Sequence, residues 1–203
     1  MYDQVAACCS ICGEKLQSRQ CASCLSLERQ RALATSIKEG TVTPPEGRLL
    51  MVSAAGAEIT MAINWDVTIE TLDVRPEAKQ ELIADICAMP EIASQSYDGV
   101  FASCVLRHVY DSESAISELA RVTRSGGRLF VSEFIEGDVT QDLIPPHTDW
   151  YGKETYEKYR VATFRIYGSD LKQKLQRHYR DVQYHSLPDP FTDERSHWYV
   201  CTR

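Results

Sequence analysis

Hydrophobic positions along the chain fall into two patterns that alternate from residue 48 onward. Short apolar or alternating runs predict strands at Leu49–Ser53, Thr68–Val74, Tyr97–Ser103 and Arg128–Phe134. Between them, helical spacing predicts a short helix over Ala57–Asn64, one from Pro76 to Ala84 with proline in its first turn, and a longer one over Ser112–Arg124. In the last of these, Ile116, Leu119, Ala120 and Val122 form the stripe, Asp111 or Ser112 caps the start, and Gly126 stops the end. A helix over Asp170–Arg177 follows, then two strands, Val182–Leu187 and Trp198–Thr202, with no helix between them. Alternation of this kind predicts an α/β fold, a Rossmann-like, doubly wound and mostly parallel sheet of seven strands that ends in an antiparallel hairpin.

The first 40 residues read differently. Residues 9–24, CSICGEKLQSRQCASC, hold two C-x2-C pairs eight residues apart. Two such turns can offer four thiolates in a tetrahedron, the donor set that suits Zn²⁺, from Cys9, Cys12, Cys21 and Cys24. Two disulfides or free thiols are the other readings, and Cys8 rivals Cys9. Four sulfurs leave no open coordination position, so the metal expected here is structural. Ser26 then reads as the N-cap of a helix with a stripe of Leu27, Leu33, Ala34 and Ile37, closed by Gly40. TVTPPEG, residues 41–47, is a proline-bearing linker. The expected division is a zinc-binding segment over residues 1–40 and a Rossmann domain over residues 41–203.

Composition narrows the function classes. The 203 residues carry a net charge of −7, which argues against a general nucleic-acid binder and favours small, neutral or cationic substrates. No apolar run approaches the roughly 18 residues of a membrane span. The N-terminal stretch MYDQVAACCSICGEK has neither a basic start nor a long apolar core, so the cytoplasm is the expected compartment.

The loop after the first strand, Ser53–Glu58, lies where doubly wound folds bind ligands, at the carboxyl ends of the strands. Ser53, Ala54, Ala55 and Gly56 are small enough to let a ligand approach the backbone, although a plain strand-to-helix turn favours the same residues. Asp73, ending the second strand, can accept both hydroxyls of a ribose, or cap the element that follows. Ser103 and Cys104 end the strand expected at Tyr97–Ser103 and should face a ligand, and His108 lies a turn beyond, placed for a general base.

The stretch SYDGVFASCVLRHVYDSESAISELARVTRSGGRLFVSEF, residues 96–134, resembles the class I S-adenosylmethionine-dependent methyltransferases. An aspartate beside an aromatic residue opens the strand, LRHV follows it, and ELARVTRSGG leads into the next strand. CASCLSLERQR, VSAAGAE and FRIYGSDL are similar, in that order, to a bacterial subgroup with cysteine knuckles and a glycine-poor first loop. Met51 stands where the family has an acidic residue, and Arg107 where many members have glutamate.

The resemblance implies S-adenosylmethionine as cofactor. It places Asp73 on the ribose, Asp85 on the adenine amino group and Ile86 against the adenine ring. The expected activity is methyl transfer to a small molecule or sugar. Arg107, His108, Glu133 and residues 146–160, with His147, Asp149, Trp150 and Tyr151, would surround the acceptor. Arg165 and Tyr167 would anchor an acidic or hydroxylated substrate, or pin their own segment. Two other readings stay open: a binding or regulatory module without catalysis, and an RNA methyltransferase that uses Lys15, Arg19, Arg29 and Arg31.

Overall fold

A computed structural model describes residues 8–192 and 194–203. The first seven residues, part of the stretch weighed above as a possible leader, lie outside the described residues. Strand β1 (Gly47–Val52) is buried on both faces: Leu49 and Met51 point one way, Leu50 and Val52 the other, and none is more than 2% exposed. That fits the centre of a parallel sheet covered by helices on both sides. It pairs in parallel with β2 (Val67–Asp73) and with β4 (Tyr97–Ser103). The two-residue β3 (Leu82–Ile83) extends the β2 edge. Beyond β4 come parallel β5 (Thr123–Ser132) and then antiparallel β9 (Arg195–Thr202), which pairs with β8 (Asp181–Pro188). The seven-stranded order is β3-β2-β1-β4-β5-β9-β8, and the strand order reverses between β1 and β4.

Helices α3 (Ser112–Val122) and α5 (Leu171–Gln176) cover one face over Leu50, Val52, Val100 and Leu129. Helices α1 (Glu28–Lys38) and α2 (Gly56–Ala62) cover the other over Leu49, Phe101, Phe130 and Trp198. Met51 belongs to this second cluster and is fully buried beside Met61 and Phe101, so an acid there would have to be buried in hydrocarbon.

Three expectations about elements change, and one stretch gains elements. The helix expected over residues 76–84 is a single 3₁₀ turn, Pro76–Ala78, because Thr71 and Glu81 exchange two side-chain hydrogen bonds with each other's backbone and draw the chain into β3. Helix α3 stops at Val122, before Gly126: Thr123 turns extended and its hydroxyl donates to the Leu119 carbonyl. Gly127 is then needed for the close crossing, since a Cβ there would lie 2.8 Å from the Asp98 carbonyl. Ser26 does not cap α1. Leu27 holds that position, its N–H bonded to the Gln30 side chain, while the Ser26 hydroxyl lies 3.3 Å from the sulfurs of both Cys9 and Cys24. Residues 141–166, for which the sequence pattern predicts no element, hold β6 (Gln141–His147), α4 (Lys153–Tyr159) and β7 (Thr163–Ile166), with β6 and β7 paired as a second small sheet.

The N-terminal segment is fastened to the sheet by a buried ion pair. Arg31 and Asp189 are both fully buried; Arg31 Nε and Nη2 donate to the two Asp189 oxygens at 2.9 Å each, and Nη1 donates to the carbonyls of Arg19 and Ser26. Replacing one partner strands the other charge in the interior. Asp189→Ala should therefore lower the unfolding free energy by about 3–5 kcal/mol in a urea titration, and Arg31→Met with Asp189→Leu should recover most of that loss.

Candidate active-site cavity

A cavity of about 470 Å³ opens at the carboxyl ends of β1, β2 and β4, at the reversal of strand order. Its walls include Ser53, Ala55, Asp73, Asp85, Ile86, Ser103 and His108. Two expected residues stay outside it. Ala54 is buried in the α1–α2 cluster, and Gly56 opens α2 on the exposed surface. Ser53 and Cys104, each the first residue after its strand, have φ of +49° and +54°. Both strand ends thus turn through the left-handed region, at a cost of roughly 1–2 kcal/mol each, and both residues line the cavity. Ser53 supplies the backbone turn that a glycine would normally make.

Asp73 is 1% exposed. Burial opposes its charge, but hydrogen bonds from Arg75 hold its carboxyl below the usual aspartate range. Arg75 donates through its backbone N–H (2.8 Å) and Nε (2.9 Å) to one oxygen and through Nη2 (2.8 Å) to the other. The Tyr151 ring lies 5.3 Å from the Arg75 guanidinium carbon and meets His108 edge-on at 4.9 Å. Tyr159 and Lys158 on α4 bond Glu77 in the turn after β2, so the segment from Trp150 to Thr163, which lines the cavity at both ends, forms a lid on its Asp73 side. Sequence reasoning missed Arg75, although its place two residues after the carboxylate was a usable signal.

Burial, aided by the positive charges of Arg107 and Arg75, takes His108 down to about 4, so the imidazole is neutral at pH 7. Its Nδ1 lies 3.2 Å from the Ala162 carbonyl, which only accepts. The ring proton therefore sits on Nδ1, and Nε2 is the acceptor. Asp85 accepts from the Cys87 N–H at 2.9 Å. Trp150 and Tyr151 line the cavity; His147 and Asp149 do not. Arg165 and Tyr167 lie outside it as well: Arg165 pairs with Asp142 and the Tyr110 carbonyl, and Tyr167 is fully buried beneath the Leu106 carbonyl.

The N-terminal segment reaches into the same cavity. Leu27 and Arg29 line it, and Arg29 Nε donates to Ser103 Oγ at 3.1 Å. Glu58 at the start of α2 is 2% exposed and accepts from Gln30 at 2.6 Å and from the Ala55 N–H at 3.0 Å, which ties α1 to the first loop. The sulfurs of Cys9, Cys12, Cys21 and Cys24 all lie within 4.8 Å of one another. The Cys9–Cys24 and Cys12–Cys21 distances are 3.7 and 3.6 Å, close to the ~3.8 Å edge of a tetrahedron with metal–sulfur bonds of about 2.3 Å. Burial pushes the Cys24 thiol up to about 12. At Cys9, bonds from Ser26 and the backbone outweigh burial and bring the thiol down to about 7. Cys8 is exposed and stands outside the four.

Of the basic set proposed for RNA, Arg19 pairs with Glu28 and Glu194, Arg31 is buried on Asp189, and Arg29 faces the cavity. Arg29 also lies 3.7 Å from Glu58, so within that set of four Lys15 alone has no ion pair among the described residues.

Residues 47–131 match the family model described as a methyltransferase domain. The demethylmenaquinone methyltransferase of Mycolicibacterium paratuberculosis is 30% identical over 118 residues, which is 54% of this chain and 51% of the relative. The chain spans about half the length of the curated relatives it matches. Burkholderia thailandensis 1,6-didemethyltoxoflavin-N1-methyltransferase, solved with 1,6-didemethyltoxoflavin and S-adenosylhomocysteine, shares the fold at TM-score 0.55 and 13% identity, over 85% of this chain and 76% of that one. Haemonchus contortus phosphoethanolamine N-methyltransferase 2, solved with S-adenosyl-L-methionine, shares it at TM-score 0.53 and 14% identity, over 85% and 52%.

Behind the cavity, Glu133 is 2% exposed, and burial outweighs the nearby Arg107 charge to raise its carboxyl to about 7. The folded-state value lies above the ordinary 4.5, so the stability held by the protonated form is complete below pH 4.5 and is lost as pH rises through 7. Glu133→Gln should match the wild type at pH 4.5 and exceed it by about 3 kcal/mol at pH 8 in urea titrations. A difference that does not change with pH would contradict this account of Glu133.

Proposed function

We propose that the chain is an S-adenosylmethionine-dependent methyltransferase acting on a small molecule, with a structural zinc in its N-terminal segment. The observation that carries the reading is the convergence of Ser53, Asp73, Asp85 and Ser103 on one open cavity at the switch point of the sheet. The cofactor supplies a methyl carbon bonded to a cationic sulfur, and the acceptor's lone pair takes that carbon while the bonding pair stays on sulfur. Asp73 accepts the ribose hydroxyls, for which Arg75 must leave at least one carboxylate oxygen. Asp85 and Ile86 hold the adenine, and the backbone at Ser53 and Ala55 meets the amino-acid end. Arg29, set between Ser103 and Glu58, places a positive charge at the same end.

Because the donor is activated, orientation and exclusion of water do much of the work. His108 Nε2 accepts a hydrogen bond from the acceptor and orients it. As a base it is weakened by burial, so the acceptor's proton leaves to solvent. Cys9, Cys12, Cys21 and Cys24 hold the zinc, which fixes the turn before α1 and with it Leu27 and Arg29.

A second reading, a binding module that transfers no methyl group, is favoured by one observation: Arg75 already occupies both oxygens of Asp73.

Calorimetric titration with S-adenosylmethionine separates the two. The enzyme reading expects saturable binding, weakened by roughly tenfold or more in Asp73→Asn, in line with the loss of charge-assisted hydrogen bonds. No heat and no thermal shift at millimolar cofactor would leave only the binding module. Metal analysis should find one zinc per chain. Its removal by a chelator should lower the melting temperature, and Cys9→Ser should do the same where Cys8→Ser does not.

A further inference from the structure

The cavity's charges are unevenly paired. Its walls carry four arginines, Arg29, Arg75, Arg107 and Arg160, against three carboxylates, Glu58, Asp73 and Asp85. Arg75 is spent on Asp73, and Arg29 lies 3.7 Å from Glu58. Arg107 and Arg160 have no carboxylate within ion-pair distance among the described residues. The Arg107 Nε is buried and donates to nothing, although the Glu133 carboxylate lies behind it and accepts from the Arg107 backbone N–H at 3.3 Å. Both guanidinium groups instead lie against rings. Arg107 is 5.2 Å from the Phe134 centroid, and Arg160 is 5.8 and 5.6 Å from those of Tyr110 and Tyr156. Trp150, 81% exposed, and Phe134, 55% exposed, add flat apolar surface at the cavity edge.

A guanidinium group with unused donors in a partly enclosed, aromatic-walled site is a receptor for a planar anion. The rings take up the apolar plane, and the fork of N–H groups takes up the charge. We infer that the methyl acceptor is an aromatic acid, a planar compound bearing a carboxylate or phosphate group, recognised by Arg107 and Arg160. The net charge of −7 suggested neutral or cationic substrates, but that charge lies over the whole surface, whereas the cavity wall is locally cationic. This inference rests on the methyltransferase reading for the word acceptor. The anion site itself does not depend on it.

The test uses the full chain. S-adenosylhomocysteine is titrated first, alone. Benzoate, phenyl phosphate and benzamide, a neutral isostere of benzoate, are then titrated by saturation-transfer NMR into the saturated protein. At least one of the two anions should bind more tightly than benzamide. Arg107→Gln and Arg160→Gln should each weaken that anion about tenfold, the effect of losing one charge-assisted contact, and leave S-adenosylhomocysteine affinity unchanged. Arg160 is exposed, so its variant keeps the fold if Arg107→Gln does not. Benzamide binding as tightly as both anions, no binding of any probe, or anion affinity unchanged in the Arg160 variant would overturn the inference. If S-adenosylhomocysteine fails to bind while an arginine-dependent anion still does, the anion site stands and the methyl-transfer reading falls. The two benzene acids also separate carboxylate from phosphate as the preferred group.

Discussion

A carboxylate buried at the end of a central strand must have a partner, and the cavity side of this structure is arranged around that requirement. Asp73 is 1% exposed at the mouth of the sheet, where leaving it unpaired would be severely unfavourable. Arg75 neutralises it, Tyr151 covers Arg75, and Tyr151 in turn packs on His108. One ion pair thus links the edge of the sheet, the lid and the histidine. Any ligand that claims Asp73 must replace the donors of Arg75, so binding and movement of this layer are one event. The strained turns at Ser53 and Cys104 keep space open beside the carboxylate.

The N-terminal segment is bound to the same centre from the other side. Arg31 locks it to the loop before β9 by its pair with Asp189, and Glu58 joins α1 to the first loop through Gln30. The last of the four cysteines, Cys24, lies three residues before Leu27, the residue that caps α1 and lines the cavity. Ser26 joins the two, with its hydroxyl on the sulfurs of Cys9 and Cys24 and its carbonyl accepting from Arg31.

Much of the fold was legible because the central strands and α3 are set by local pattern. Leu49–Val52 is apolar on both faces, and α3 has its stripe and its Asp111 cap, whose carboxylate accepts from the Ser114 N–H at 3.0 Å. What was not legible came from contacts between distant residues. Thr71 and Glu81 turn a helix-like stretch after Pro76 into β3. The pairing of β6 with β7 overrides the prolines in QDLIPPH. In the cavity, the residue types were readable where a strand end dictates position, as at Ser53, Asp73 and Ser103. Their partners were less so: Arg75 follows Asp73 by two residues and was within reach of a local reading, but Arg29 and Arg160 arrive from α1 and the end of α4, and no spacing rule brings them to the cavity.

The most direct test of the central claim is a crystal structure of the protein soaked with S-adenosylhomocysteine. The account predicts nucleoside density in the cavity, both ribose hydroxyls within hydrogen-bond distance of Asp73, and Arg75 drawn off at least one carboxylate oxygen. An empty cavity at saturating ligand, with the Arg75 fork still closed on Asp73, would contradict it.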